Sequence, residues 1–245
     1  VGVQGSVLIQ PREVASLASP AAIYARAAQN LARLQQNDMG INTNTWNRVR
    51  YTVYLPVYDF VADRVFRKYR QRSVSLLQAS LTDAILLLGA GSGLDLPYLR
   101  NYTNLTAIDI TPGMVAKLEK RAQRLNLPVR AAVMNGQQLR FADASFDAVI
   151  LHLILAVIPD PVACLREVER VLKPGGTVMV FDKFLPDGET PSLLRRLLNQ
   201  VASTLFSDIN RRLGDIVRHT ALYQELNEPA ALGGAFRIVR LRKPA

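Results

Sequence analysis

A chain of 245 residues with 49% apolar side chains holds enough hydrophobic material for one α/β domain of ordinary size plus extra N-terminal chain, which excludes global disorder. Thirty Lys and Arg against twenty Asp and Glu leave a net charge of +10, which attracts nucleic acid or an anionic membrane surface, unless it only solvates a basic exterior. One cysteine and two histidines cannot build a disulfide framework or a Cys- or His-rich metal site. No metal is therefore expected.

The first 45 residues read as a partly helical extension. Ser19-Pro20 and the Ala-rich run to Leu34 carry a helix start signal. Asn37 to Thr45 is polar and turn-rich, the composition of a linker. Residues 46–80 form a second, basic aromatic region. Tyr51, Tyr54, Tyr58, Phe60, Phe66 and Tyr69 alternate with Arg and Lys. Pro56 sits where a helix would begin. Val57, Val61, Val65 and Tyr69 recur at four-residue spacing and predict one helix face, with Arg64, Lys68 and Arg72 as a parallel basic stripe.

Residues 81–245 alternate strand and helix. Strands are expected at Ala84–Leu88, Leu105–Ile110, Val129–Met134, Phe146–Leu151, Thr177–Phe181, Leu222–Leu226 and Phe236–Leu241. Helices are expected at Leu94–Arg100, Pro112–Asn126, Pro161–Leu172 and within 190–218. This predicts a Rossmann-like α/β fold, a seven-stranded and mostly parallel sheet with helices on both faces. Ligands bind beyond the carboxyl ends of such strands. The longest apolar stretch, Ala148 to Ile158, is interrupted by His152, so no membrane-crossing helix is expected. The N-terminal residues lack the basic-then-apolar layout of a secretory signal. A cytoplasmic location is expected.

Three features carry chemistry. Gly89-Ala90-Gly91-Ser92-Gly93 lies at a strand-to-helix junction, where glycines turn the backbone tightly and let a ligand approach. A dinucleotide site wants a further glycine at position 94, which is Leu94. The spacing suits a smaller cofactor without phosphates. Asp109, at the end of the second strand, can accept both hydroxyls of a ribose, or it can cap the helix that begins near Pro112. Ile110 and Met114 are placed to sandwich an adenine. His152, at the end of the fourth strand, can take a proton from an attacking amine or hydroxyl, or it can be a buried, hydrogen-bonded core histidine. Cys164 sits mid-helix, with the spacing of a core residue.

Residues 84–182 resemble the class I S-adenosylmethionine-dependent methyltransferases. "LLLGAGSG", "AIDITPGM", "MNGQQLRFADASFDAVI" and "IPDPVACLREVERVLKPGG" look like their successive motifs. The resemblance implies that Gly89, Ala90, Gly91, Gly93, Asp109, Ile110, Met114, Asn135, Gly136, Gln137 and His152 surround S-adenosylmethionine. Asn135 stands where Asp is usual, so its amide oxygen would meet the adenine amine. Leu87 stands where an acidic residue is common, which removes one partner of the methionine amino group.

"VYDFVADRVFRKYRQ" followed by "VIPDP" is similar to bacterial phosphatidylethanolamine N-methyltransferases, with the quinone methyltransferases nearby. That likeness implies that Tyr58 lies in a helix closing over the cofactor. Tyr58 and His152 are then the candidate catalytic residues. Tyr51, Tyr54, Arg64, Arg67 and Lys68 are the expected contacts with substrate or with an anionic membrane, at the inner face of which the protein would sit peripherally. Nucleic acid is disfavoured as a partner, because His152-Leu153-Ile154-Leu155 replaces the polar-Pro-Pro-aromatic motif of base-methylating enzymes. A non-catalytic protein that keeps the cofactor fold remains an alternative.

Overall fold

The computed structural model describes residues 64–185 and 211–245. The expectations at Ser19–Leu34, Asn37–Thr45, Tyr51, Tyr54, Val57, Tyr58 and Val61, and most of 190–218, lie outside them.

Seven strands form one sheet in the order β3-β2-β1-β4-β5-β7-β6. They are β1 (Ile85–Leu88), β2 (Leu105–Asp109), β3 (Val129–Val133), β4 (Phe146–His152), β5 (Leu172–Lys183), β6 (Tyr223–Pro229) and β7 (Phe236–Arg242). The first five pair in parallel. β7 runs antiparallel between β5 and β6. The expected sheet is therefore the observed one. The central strands are apolar on both faces because both faces are covered. All four residues of β1 are at most 2% exposed.

Helices α2 (Pro112–Arg124) and α3 (Pro161–Val171) each begin with proline. Proline suits a first turn because the N–H it lacks would have no helical partner there. Asp160 caps α3 by accepting from Ala163 N at 2.9 Å. Cys164, Leu165, Val168 and Val171 bury the inner face of α3. Burial pushes the Cys164 thiol up to about 12, with Asp160 and Glu167 adding to the shift. It is an inert core residue, as its spacing implied. The short α4 (Leu213–Val217) precedes β6. Among the described residues no helix is long and apolar enough to cross a membrane.

Residues 64–75 form a further helix, α1. Of the expected face the described residues are Val65 and Tyr69, and only Tyr69 turns inward. Val65 is 44% exposed, whereas Phe66, Tyr69, Arg70, Ser73, Val74 and Leu77 turn inward. The i, i+3, i+4, i+7 set starting at Phe66 shares Tyr69 with the four-residue spacing but takes Phe66 inward in place of Val65, because the aromatic ring buries more surface. Phe66 and Tyr69 meet Phe181 of β5 at centroid distances of 5.6 and 6.0 Å, and Phe66 meets Phe236 of β7 at 4.8 Å. Of the basic stripe, Arg64 and Lys68 are exposed. Arg72 is exposed too, and pairs with Glu228 of β6 at 2.8 Å.

The helix expected over Leu94–Arg100 is absent. Turns and a single 3-10 turn at Leu96–Tyr98 take its place. Pro97 withholds a backbone donor there, and the Asp95 side chain is drawn into a tertiary ion pair. The helix expected to run through Leu172 stops at Val171, and Leu172 already pairs with Phe146. A register shift between Phe146 and Ala148 then absorbs the Lys173-Pro174-Gly175-Gly176 segment.

Phe181 is fully buried and touches α1, β4 and β7. Phe181→Ala should cost about 3–5 kcal/mol of stability. Urea denaturation measures the loss, and an unchanged midpoint would contradict this packing role.

Candidate active site

The carboxyl ends of β1 to β4 open into one cleft of about 910 Å³, its solvent-open mouth included. The glycine turn after β1 forms its floor. Gly89 has φ +69° and Gly91 φ +55°, the left-handed region that disfavours side chains. A Cβ on Gly89 would lie 2.7 Å from Ile154. A Cβ on Gly91 would meet nothing within 4 Å, since that position faces open space. Gly93 packs against Leu96 and Leu118 behind the wall.

Asp109 holds this turn in place. Its Oδ2 accepts from Gly91 N at 3.0 Å and its Oδ1 from Thr111 N at 2.8 Å. Of the two readings made of it, the cap does not form, since Thr111 is the N-cap of α2 and no side chain caps that helix; Asp109 instead ties Thr111 to the glycine turn and lines the cleft. Each carboxylate oxygen has a second lone pair for a ribose hydroxyl. Burial raises the Asp109 pKa, opposed by its bonds from Thr111 and Gly91.

Ile110, Met114, Met134, Asn135 and Gly136 line the same end of the cleft, together with Ala90. Asn135 Oδ1 accepts from Gln137 N at 3.0 Å, so that amide oxygen already serves its own loop. Gln137 stands off the cleft wall. Its Oε1 accepts from Asp160 N at 2.6 Å, joining this loop to α3. Leu87 is buried with Ile85, Leu96 and Leu99, facing the core and not the cleft. The glycine cradle, the Asp109 carboxylate and the apolar flanks fit S-adenosylmethionine.

At the β4 end stands a buried polar network. Arg70 Nη1 donates to both oxygens of Asp95 at 2.9 Å. His152 Nδ1 meets Asp95 Oδ1 at 2.8 Å, and its Nε2 meets Ser73 Oγ at 2.9 Å. The partners assign the tautomer: Nδ1–H donates to the carboxylate and Nε2 accepts the Ser73 hydroxyl. Burial alone would raise the Asp95 pKa, but Arg70 and His152 hold it well below the usual carboxylate range. His152 and Arg70 both line the cleft. His152 is therefore a buried, doubly hydrogen-bonded histidine at the place where a base was expected, and the Ser73 bond must open before it can accept a proton.

Sequence reasoning missed Arg70, Ser73, Asp95 and Asp182. The signal for Arg70 was a single cation on an otherwise apolar helix face. Asp182, at the end of β5, accepts from Ala156 N at 3.0 Å and from Lys183 N at 2.8 Å. It braces the loop after β4, where Leu153 has φ +59° and Leu153 N donates to Phe181 O at 2.8 Å. A leucine in that conformation is strained and persists because its surroundings enforce it. Of the surface candidates, Arg64, Arg67 and Lys68 are exposed on α1, and Lys68 Nζ lies 4.8 Å above the Tyr69 ring. Among the described residues no group of three potential His, Cys, Asp or Glu metal ligands comes together.

Two predictions follow from this geometry. Asp109→Ala should weaken S-adenosylmethionine binding by about 1–3 kcal/mol, the worth of charge-assisted hydrogen bonds. Calorimetry measures it, and an unchanged affinity would refute the ribose assignment. Burial pushes the Asp182 pKa from 3.8 to about 6, opposed by its bonds from Ala156 and Lys183. The folded state then prefers the protonated acid. That contribution is fully present below the unfolded value and is lost as pH rises through the folded one. Asp182→Asn should therefore gain stability relative to the parent between about pH 4 and pH 7, by on the order of 3 kcal/mol at ~1.4 kcal/mol per pKa unit. Parallel urea titrations across that range check it; a constant difference would remove Asp182 as the source.

A family described as "Methyltransferase domain" matches residues 86–180. The chain is 26% identical over 189 residues to a phosphatidylethanolamine N-methyltransferase of Cereibacter sphaeroides, spanning 76% of this chain and 93% of that relative. It is 34% identical over 164 residues to a demethylmenaquinone methyltransferase of Corynebacterium glutamicum, spanning 64% and 67% respectively. The crystal structure of geranyl diphosphate C-methyltransferase from Streptomyces coelicolor shares the fold, with a TM-score of 0.61 at 15% identity over 74% of this chain and 81% of that one. The glycine turn, Asp109 at the end of β2 and the 34% identity to the Corynebacterium relative, spanned over two thirds of its length, agree: the chain belongs to the class I S-adenosylmethionine-dependent methyltransferases.

Proposed function

We propose that this methyltransferase acts on a membrane-associated acceptor, the amine headgroup of a phospholipid such as phosphatidylethanolamine. The observation that carries the reading is the two-sidedness of α1. One face places Arg70 in the cleft wall, and the other exposes Arg64, Arg67 and Lys68. A helix built this way joins the cleft to a basic surface that anionic lipid attracts. The net charge of +10 and the likeness to the Cereibacter enzyme over most of both chains support it.

S-adenosylmethionine supplies a methyl group on a sulfonium, an activated leaving group. The chain's share is to hold the acceptor in line and to exclude water. Leu153, Ile154, Val157, Ile158 and Pro159 form an apolar wall on the β4 side of the cleft, braced by Asp182. An ammonium headgroup must lose a proton before it attacks. His152 and Tyr58 are the candidates to accept it. A quinone ring is the second reading, favoured by the 34% identity to the Corynebacterium enzyme.

Incubation with methyl-labelled S-adenosylmethionine and vesicles of phosphatidylethanolamine and anionic lipid tests the acceptor. Label in the lipid fraction is expected. Label confined to water-soluble products would rule the proposal out, and label transferred only to an added demethylated quinone would establish the second reading. Sedimentation with the same vesicles should show binding at low salt that falls as salt rises.

A further inference from the structure

Residues 153–159 follow β4 and turn Leu153, Ile154, Val157, Ile158 and Pro159 to the cleft. Apolar side chains that face an open cleft have no packing partner on that side to fix them. The loop must therefore be held by its backbone. Ala156 N donates to Asp182, and Val157 N and Ile158 N both donate to Ile154 O. The carbonyls are harder to satisfy. In a helical turn Leu155 O would meet the N–H of residue 159, but Pro159 has none. Arg211 meets them instead. Its Nη1 donates to Leu155 O and to Ile158 O, each at 2.6 Å, and its Nη2 to Pro159 O at 3.5 Å. Arg211 stands behind the wall and does not itself line the cleft. Its own place is fixed by the backbone, because Leu185 N, just past β5, donates to Arg211 O at 2.9 Å.

We propose that Arg211 is a positioning residue for methyl transfer: it fixes the apolar wall against which the acceptor stands. A guanidinium presents its donors in a planar fork, so one side chain serves the carbonyls of several residues at once. An ammonium is a single point of charge, and a thioether donates nothing. The loop is gripped from two sides, by the Asp182 carboxylate at an N–H and by Arg211 at carbonyls. Its placement matters because it abuts the glycine turn, where a Cβ on Gly89 would lie 2.7 Å from Ile154. A small shift of the loop moves the wall relative to the methyl donor, and in-line transfer is sensitive to small misplacements. This role presupposes that the wall supports the acceptor, and it holds for a lipid and a quinone alike.

The test uses the full chain with Arg211→Met and Arg211→Lys. Hydrogen exchange reads the loop directly. Arg211→Met should speed exchange of the Ala156, Val157 and Ile158 amides while β1, β4 and β5 keep their protection. Calorimetry with 5′-methylthioadenosine, which carries the nucleoside without the amino-acid tail, should show unchanged affinity. The rate is measured at saturating S-adenosylmethionine, with phosphatidylethanolamine vesicles or an added demethylated quinone, whichever the parent methylates. There kcat of Arg211→Met should fall roughly tenfold to a hundredfold, and that of Arg211→Lys, which keeps a donor at the carbonyls, should fall less. Unchanged exchange in the loop would mean that other groups hold it. Faster exchange throughout, with the nucleoside affinity lost, would mean a general role in the fold. A faster loop with kcat unchanged would mean that the wall does not position the acceptor, and Arg211→Lys no better than Arg211→Met would mean that donation to the carbonyls is not what counts. Each of these results overturns the assignment. A parent that methylates neither acceptor marks the failure of the acceptor reading, a separate outcome, and the exchange comparison still decides whether Arg211 holds the wall.

Discussion

The Asp95 carboxylate is the point on which the cofactor cleft is organised. It is buried, and a buried carboxylate costs several kcal/mol unless its charge and lone pairs are answered. Arg70 answers the charge with two bonds, and His152 adds a third. These residues come from three places in the chain: α1, the segment after the glycine turn, and the end of β4. Satisfying one carboxylate therefore fixes the position of a helix against the sheet and closes one end of the cleft. Such a network gives little net stability compared with apolar packing of the same volume. Its effect is geometric, because removing one member would leave a charge unpaired.

Asp182 provides a contrasting case. Its oxygens accept from the backbone N–H groups of Ala156 and Lys183, and the Lys183 charge opposes the burial only in part. Burial dominates and raises its pKa to about 6. Two aspartates near the same cleft are thus pushed in opposite directions by whether a guanidinium stands beside them. One anchors a charged wall, and the other braces an apolar one. Between them the backbone at Leu153 is held in a strained turn that shapes the β4 side of the cleft.

The sheet, the glycine turn and Asp109 were legible because their signals are local. Apolar runs of four to seven residues, glycines at a strand end and a carboxylate one strand later need no knowledge of distant partners. The same holds for α3, where Pro161 announces the helix start. Legibility failed where distant residues decided the matter. Leu94–Arg100 has a helix-like composition, but Pro97 and the commitment of Asp95 to Arg70 prevent it. The face of α1 was legible only in part: Tyr69 packs as its spacing implied, whereas Val65 is exposed and Phe66 takes the inner place against Phe181 and Phe236. His152 was located correctly at the end of β4, but only its neighbours reveal that both ring nitrogens are engaged.

The sequence by itself determined the doubly wound sheet and the kind of ligand its glycine turn accepts. The reason is that hydrophobic periodicity and turn chemistry act over a few residues. The tertiary structure alone decided which charged groups line the cleft. Arg70 lies 25 residues from Asp95, and Asp95 lies 57 from His152. Nothing in the local pattern of any of the three announces the others. They meet because a buried charge must find its counter-charge wherever the folded chain brings one within reach.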